Sequence, residues 1–204
     1  VDEFGQIDIL IANAGILRDK SFKNMDDQMW DVVLDVHLRG TYLSTKVVYD
    51  KMIEQGKGGR IIMTSSTSGL LGNFGQTNYG AAKAGIAGFM RCLWLEGIKY
   101  GITVNVLAPT ATSRLTTDIL PEDVQENFPP EAVSPAVAWL CTEEAKDVSG
   151  RQWLVAGGSV SLLSWQLTPI AKRDLSDGIW DVEEIGEKIL ESKNNWPPVN
   201  PMRR

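Results

Sequence analysis

A tyrosine and a lysine four residues apart, Tyr79 and Lys83, are well placed in this 204-residue sequence to do chemistry together. They lie in the segment NYGAAK, which the residue pattern predicts to be helical, and residues four apart are neighbours on a helix. An isolated tyrosine titrates near about 10, too high for a base at neutral pH. A nearby ammonium favours the phenolate and lowers that pKa, provided that its charge outweighs the effect of burial. The pair therefore predicts a phenol that exchanges a proton with a ligand.

A serine hydroxyl, that of Ser66, can complete this chemistry. Ser66 ends the predicted strand RIIMTSS, upstream of Tyr79, and open α/β sheets bind ligands at the carboxyl ends of their strands. Its hydroxyl can donate to a carbonyl or alkoxide oxygen while Tyr79 exchanges the proton, which is suited to hydride transfer at a secondary alcohol or ketone. Each residue also has a plain structural explanation. A Tyr-x-x-x-Lys pattern occurs often by chance, and Ser66 could be a helix cap or a loop hydroxyl.

Short apolar runs alternate with helical patterns along the chain. Four runs predict buried strands: IDILIANAG, RIIMTSS, ITVNVLAP and RQWLVAGG. We expect helices over 26–54 (in one or two pieces), 78–100 and 135–142, with a short helix after Pro121 and a loop from 67 to 77. Strands that alternate with helices predict an α/β fold, a Rossmann-like parallel sheet with helices on both faces.

The last part of the sequence differs in composition. Residues 1–161 are expected to form the α/β domain, and 162–204 a C-terminal extension rich in Trp and charge. One amphipathic helix is predicted over 182–190, with an apolar stripe that includes Val182, Ile185 and Ile189. We expect this extension to pack on its own domain or on a partner subunit.

The composition excludes several classes of function. A net charge of -6 and 43% hydrophobic residues are typical of ordinary globular proteins. No Lys/Arg cluster stands out beyond the last two residues, so nucleic acid is not an expected partner. No apolar run approaches the roughly 18 residues of a membrane span, so no membrane partner is expected. One histidine and scattered acids give no metal-ligand pattern, and we predict no metal site.

The motifs, taken together, resemble the short-chain dehydrogenase/reductase family over 7–159, about three quarters of the chain. ILIANAG is similar to the family's Asn-Asn-Ala-Gly motif with Ala12 in place of the first Asn, and VNVLAP is similar to the motif that approaches the nicotinamide. The resemblance implies that Tyr79 is the acid/base, that Lys83 binds the nicotinamide ribose and lowers the pKa of Tyr79, and that Ser66 orients the substrate oxygen. The cofactor-binding residues that it implies are Asn13, Ala14, Gly15, Tyr79, Lys83, Pro109 and Thr112.

A narrower resemblance rests on VHLRG, GRIIMTSS, GNFGQTNYGAAK and TSRLT with LPEDV. These stretches are similar to the (3R)-hydroxyacyl-CoA dehydrogenase units of peroxisomal multifunctional enzymes of β-oxidation, of which the fungal ones carry two in tandem. The resemblance implies oxidation of a 3-hydroxyacyl-CoA substrate with NAD, in the peroxisome or alternatively the cytoplasm. It also favours pairing with a second copy or a tandem domain through the helices that flank the site. Another reductase of the family, such as a 3-oxoacyl reductase, remains an alternative.

His37 departs from the family pattern, because many members carry a fourth catalytic residue there, an asparagine. Two interpretations remain open. His37 is a satisfied helix histidine, or it or its carbonyl holds a water for proton relay, in which case it joins Ser66, Tyr79 and Lys83 as a catalytic residue.

The family's first strand and its glycine-rich turn have no counterpart before Ile7. The segment SGLLGNFG follows a strand, but its glycine spacing does not fit a pyrophosphate loop. We therefore expect the chain to lack the half-domain that binds ADP, together with the residue that normally selects NAD or NADP. A catalytically inactive fragment that serves as an interaction module is the remaining alternative.

Overall fold

The computed structural model describes residues 1–112 and 125–199 of the chain. The chain divides into two compact units, Val1–Ser164 and Trp165–Arg204. The short helix that the sequence predicts after Pro121 lies outside the described residues.

A five-stranded sheet runs through the described part of the first unit, with its strands side by side in chain order. The strands are β1 (Ile9–Ala12), β2 (Gly59–Thr64), β3 (Ile102–Thr110), β4 (Gln152–Ala156) and β5 (Ser159–Leu163). Strands β1 to β4 pair in parallel, which confirms the four predicted parallel strands. Strand β5 was not predicted: it pairs antiparallel with β4 and extends past the expected boundary at residue 161. Gly157 has a φ of +53° in the two-residue turn between them, a conformation that glycine adopts without steric cost.

Helices connect the parallel strands. Those described are α1 (Asp27–Leu34), α2 (Gly40–Gln55), α3 (Thr67–Leu71), α4 (Thr77–Gly97) and α5 (Ser134–Leu140) in the first unit, and α6 (Val182–Ser192) in the second. The segment predicted as one or two helices over 26–54 contains a π-helical turn, Asp35–Arg39, between α1 and α2. The sequence predicted a loop where the structure has α3. This helix has only five residues and is capped by the Ser66 side chain.

Helices cover both faces of the sheet, as the sequence predicts. Successive side chains of a strand point to opposite faces, and on one face Ile61 of β2 packs with Met52 of α2 and Met90 of α4. On the other face Ile62 packs with Leu140 of α5. All five side chains are at most 2% exposed. This two-sided core fixes the carboxyl ends of β1, β2 and β3 at one edge of the sheet.

Strand β1 lies at the side of the sheet and, within the described residues, pairs with β2 alone. Its isoleucines remain accessible, with Ile9 42% and Ile11 48% exposed. An apolar strand with one unpaired side is a site where another strand can pair.

The second unit contains α6, which starts with a capping box. Asp181 accepts from the backbone N–H of Glu184, and the Glu184 side chain accepts from the backbone N–H of Asp181. Arg173 pairs with Glu184 and stacks 4.8 Å from the centre of the Trp180 ring. The predicted helix over 182–190 is confirmed. No helix in the described part of the chain is long and apolar enough to cross a membrane.

Candidate active site

Four side chains that the sequence singles out come from three places in the fold and meet at the carboxyl edge of the sheet. Ser66 follows β2, Tyr79 and Lys83 lie in the first turns of α4, and His37 lies in the π-helical turn. The Tyr79 ring is the common neighbour. Its centre lies 5.1 Å from that of the His37 ring and 5.5 Å from the Lys83 Nζ.

Ser66 serves two purposes. Its hydroxyl oxygen accepts a hydrogen bond of 3.2 Å from the backbone N–H of Ser68 and so caps α3. It also forms a hydrogen bond with the Tyr79 hydroxyl that acts to lower the pKa of Tyr79. The structural and the chemical interpretations of Ser66 are therefore compatible.

Burial raises the pKa of Tyr79 above its ordinary value, and the charge of Asp19 raises it further, against the hydrogen bond from Ser66. The Lys83 ammonium donates a 2.7 Å hydrogen bond to the carbonyl of Thr64. Its expected lowering of the Tyr79 pKa stays a prediction. Lys83 is itself only 3% exposed, and burial lowers its pKa to about 8. Tyr79 is consequently a protonated phenol at neutral pH.

His37 is 1% exposed and lies against the turn that follows β1. Its Nε2 is 2.7 Å from the carbonyl oxygen of Ile16 and 3.1 Å from the backbone nitrogen of the same residue. Its Nδ1 is buried and has no hydrogen-bond partner in the described structure. Burial, with the nearby charge of Lys83, lowers the pKa of His37 to about 4, so the ring is neutral at physiological pH. Within the described residues His37 is thus only partly satisfied, and the interpretation that it or its carbonyl holds a water for proton relay stays a prediction.

The turn Asn13-Ala14-Gly15 is joined to the same edge through a residue that the sequence did not single out, Thr64. The Thr64 hydroxyl donates a 2.8 Å hydrogen bond to the side-chain oxygen of Asn13, while the Thr64 carbonyl accepts from Lys83. Asn13 and Ala14 are exposed, and Gly15 is half-buried. Thr64 is the last residue of β2, next to both the Asn13-Ala14-Gly15 turn and α4. That position is the signal that could have revealed Thr64 in the sequence.

The remaining predicted cofactor residues lie further along the sheet. Pro109 is half-buried in β3, where it pairs with Val155 of β4. The backbone N–H of Thr112 donates to the carbonyl of Phe128 at 2.7 Å, and its hydroxyl donates to the carbonyl of Gln125 at 2.8 Å. The polar groups of Thr112 are therefore engaged with the 125–128 segment, and its part in cofactor binding stays a prediction.

Two further polar residues, Gln76 and Asn78, anchor the chain just before Tyr79 through side-chain hydrogen bonds. The Gln76 amide donates to Asp19 at 2.7 Å. The fully buried Asn78 donates to the carbonyls of Arg18 and Met29, both at 3.0 Å, and its side-chain oxygen accepts from the Tyr79 backbone N–H. Sequence reasoning missed both residues, although two amides just before a candidate acid/base are a usable signal for such anchoring.

The fold and the site together define an α/β protein with a tyrosine, a lysine and a serine at the carboxyl edge of a parallel sheet. A family model described as short chain dehydrogenase matches residues 1–126. The chain belongs to the short-chain dehydrogenase family, which confirms the resemblance found in the sequence.

Three relatives illustrate the range of similarity. A peroxisomal hydratase-dehydrogenase-epimerase of Neurospora crassa is 48% identical over 167 residues, which cover 81% of this chain and 19% of that protein. An acetoacetyl-CoA reductase of an Acinetobacter species is 40% identical over 164 residues, covering 76% of this chain and 66% of the reductase. The crystal structure of a short chain dehydrogenase from Mycobacterium avium superimposes with a TM-score of 0.83 at 36% identity, covering 97% of this chain and 68% of that one. The chain thus spans about a fifth of the length of the fungal relative.

Proposed function

We propose that this site oxidises a (3R)-hydroxyacyl-CoA to the 3-oxoacyl-CoA with NAD, as a step of fatty acid β-oxidation. The observation that carries the proposal is the half-buried Tyr79 phenol, which is hydrogen-bonded to the Ser66 hydroxyl and has Lys83 beside its ring. The similarity to a peroxisomal hydratase-dehydrogenase-epimerase supports this substrate class and, with it, a peroxisomal location.

The residues present fit the nicotinamide side of such a cofactor. Asn13 and Ala14 are exposed at the edge where Lys83 and Tyr79 lie, so donors and acceptors are available there for a ribose and an amide. Residues 1–204 contain no glycine-rich turn whose spacing fits a pyrophosphate. When bound, NAD would supply the hydride acceptor.

The chain's own residues would supply the proton chemistry. Ser66 would donate a hydrogen bond to the substrate oxygen, and Tyr79 would accept the hydroxyl proton in oxidation. Lys83 would hold the ribose and favour the phenolate once its ammonium turns from Thr64 towards the tyrosine oxygen. The sheet edge fixes the relative positions of these groups.

A second candidate, reduction of a 3-oxoacyl-CoA, is favoured by one observation. Burial raises the pKa of Tyr79, so the phenol carries its proton at neutral pH and is ready to act as the acid that reduction requires. The similarity to an acetoacetyl-CoA reductase points the same way. Turnover measured in both directions at neutral pH, with saturating substrate and cofactor, separates the two, because the site that functions as a reductase should be faster in reduction.

A protein partner, either a second copy or a tandem domain, is also proposed. The supporting observation is a set of exposed apolar side chains on or just after the helices that flank the site. These are Tyr42, Leu43 and Val47 of α2, Leu95 of α4 and Ile98 directly after it. Analytical ultracentrifugation with Val47→Glu and Leu95→Glu tests it, since charges on an interface should shift the equilibrium towards monomer.

The test of the proposed reaction is Tyr79→Phe, measured in a version of the chain extended at its amino end by a first strand and glycine-rich turn of the family. Turnover of 3-hydroxyacyl-CoA should fall about 100-fold or more, the scale of general acid/base catalysis, with folding unchanged. Tyr100→Phe, at a half-buried tyrosine beyond the end of α4 that is far from Tyr79, is the matched control and should keep full turnover.

Near wild-type turnover of Tyr79→Phe would remove Tyr79 from the mechanism. A panel of 3-hydroxyacyl-CoA, 3-oxoacyl-CoA and simple secondary alcohols separates the substrate classes. If the extended protein neither binds NAD in calorimetry nor turns over any member of the panel, the interaction-module alternative is the better one.

A further inference from the structure

His37 contacts two parts of the site: the chain that follows the Asn13-Ala14-Gly15 turn, and the ring of Tyr79. The π-helical turn that contains it interrupts an otherwise continuous helix, and the N–H of Gly40 bonds five residues back to Asp35. Turns of this kind are rare and occur often at functional sites. Here the turn holds a buried imidazole between the chain that follows β1 and the ring of Tyr79.

On one side the imidazole binds the peptide chain directly after the Asn13-Ala14-Gly15 turn. Nε2 lies 2.7 Å from the Ile16 carbonyl oxygen and 3.1 Å from the Ile16 nitrogen. The ring therefore bonds to Ile16 in either neutral tautomer: a protonated Nε2 donates to the carbonyl, and an unprotonated Nε2 accepts from the N–H. On the other side the imidazole meets Tyr79 edge to face, with the rings inclined at 83° and their centres 5.1 Å apart. Aromatic pairs favour this geometry.

The same ring explains why residue 15 is a glycine. A Cβ at Gly15 would lie 2.5 Å from the Cε1 of His37, closer than real contacts allow. Gly15 is not among the glycines with positive φ, so its backbone conformation does not require a glycine. The glycine is required because the imidazole occupies the space that a side chain at position 15 would need.

We propose that His37 is a positioning residue that fixes the Asn13-Ala14-Gly15 turn and the Tyr79 ring relative to each other, and that Gly15 is needed because the imidazole fills the space beside it. The inference rests on the proposed function for the meaning of the turn as the nicotinamide side of the site. The contacts themselves do not depend on it. In this role His37 neither accepts nor donates the reacting proton.

The first test uses the fact that His37 is the sole histidine of the chain. With any affinity tag removed, ¹⁵N-histidine labelling gives ring signals from this residue alone. We expect a neutral ring with one slowly exchanging proton, and nuclear Overhauser effects from the ring to the Gly15 α-protons and the Tyr79 ring. A ring proton that exchanges rapidly with water, without effects to Gly15, would overturn the proposal. This measurement needs no variant and no activity.

The second test is a double-mutant cycle on the folding equilibrium constant of the 204-residue chain. Gly15→Ala should lower that constant about 10-fold or more when His37 is present, and much less in a His37→Ala background, because contacting residues couple by about this amount. Equal losses in the two backgrounds would mean that Gly15 and His37 act independently. Gly88→Ala, where a Cβ would meet nothing within 4 Å, is the matched control.

The third test separates positioning from stability alone. In the extended chain, His37→Ala should raise the KM for NAD and lower kcat per folded molecule. His37→Gln should restore both to within about 3-fold of wild type, because its amide can replace the hydrogen bond of the imidazole to Ile16. Unchanged kinetics in folded His37→Ala would refute the positioning role. Absence of NAD turnover in the wild type would instead count against the proposed function, and the first two tests would still decide this inference.

Discussion

Lys83→Met should change the pH dependence of stability, because the buried ammonium of Lys83 is costly to keep charged. Burial lowers the pKa of Lys83 from 10.5 to about 8. Below pH 8 the folded and unfolded chains both hold the proton. Between pH 8 and pH 10.5 the unfolded chain still holds it and the folded chain does not, so the stability of the wild type rises with pH. Methionine, similar in length and without a charge, removes this dependence.

The magnitude follows from the shift. About 2.5 pH units, at about 1.36 kcal/mol for each unit, give about 3 kcal/mol. The free energy of unfolding of the wild type, minus that of Lys83→Met, should therefore rise by about this amount from pH 7 to pH 10.5 and then level off. Urea titrations at half-unit pH intervals, followed by tryptophan fluorescence, measure the difference. The contributions of titratable groups that both proteins share largely cancel in this difference in the free energy of unfolding.

Lys46→Met is the control of opposite sign. Lys46 is exposed, and its hydrogen bond with Asp50 raises its pKa, so its contribution is lost rather than gained as pH rises. Its effect should be small because solvent screens the pair. A flat or falling difference for Lys83→Met would refute the reasoning, because it would mean that the Lys83 ammonium is solvated or has moved to a carboxylate in solution.

Three other outcomes are expected. Lys83→Ala in the extended chain should weaken NAD binding and move the basic limb of the pH–rate profile upward, and an unchanged profile would mean that Lys83 does not tune Tyr79. Deletion of residues 163–204 should lower solubility, because it should expose the apolar surface that this segment is expected to cover on its own domain or on a partner subunit; a soluble, equally stable monomer would contradict this. The 204-residue chain should bind NAD with a dissociation constant above about 1 mM and self-associate through the open side of β1, so a monodisperse monomer with micromolar affinity in calorimetry and ultracentrifugation would disprove both.

The sequence predicted the features that local pattern controls. Apolar runs such as that of β2 indicated the parallel strands, and the alternation with helices indicated the two-sided core. Strand β5 was missed because SVSLL carries no strong strand signal of its own and forms by pairing across the Gly157 turn. The π-helical turn was equally invisible, since residues 26–54 read as ordinary helix and only the backbone hydrogen bonds reveal the interruption.

In the site, the residue types and their spacing predicted which side chains are neighbours, but they did not predict the direction of the Tyr79 pKa shift. Spacing alone brought Tyr79 and Lys83 to one helix face, as the structure has them. The direction of the Tyr79 pKa shift depends first on burial, and then on the Ser66 hydrogen bond and the charge of Asp19. None of these can be inferred from the order of residues, because they result from how the elements pack.

The cap that Ser66 places on α3 sets a direction for hydrogen bonding through the site. The Ser68 backbone N–H donates to the Ser66 oxygen, and the Ser66 hydroxyl then donates to the tyrosine oxygen, which is the direction that lowers the pKa of Tyr79. Hydrogen bonds in such a series polarise one another in the same sense. The Ser68 N–H can only donate, and the Ser66 hydroxyl has a single proton. A substrate oxygen that binds this hydroxyl must therefore take over the hydrogen bond that it gives to Tyr79.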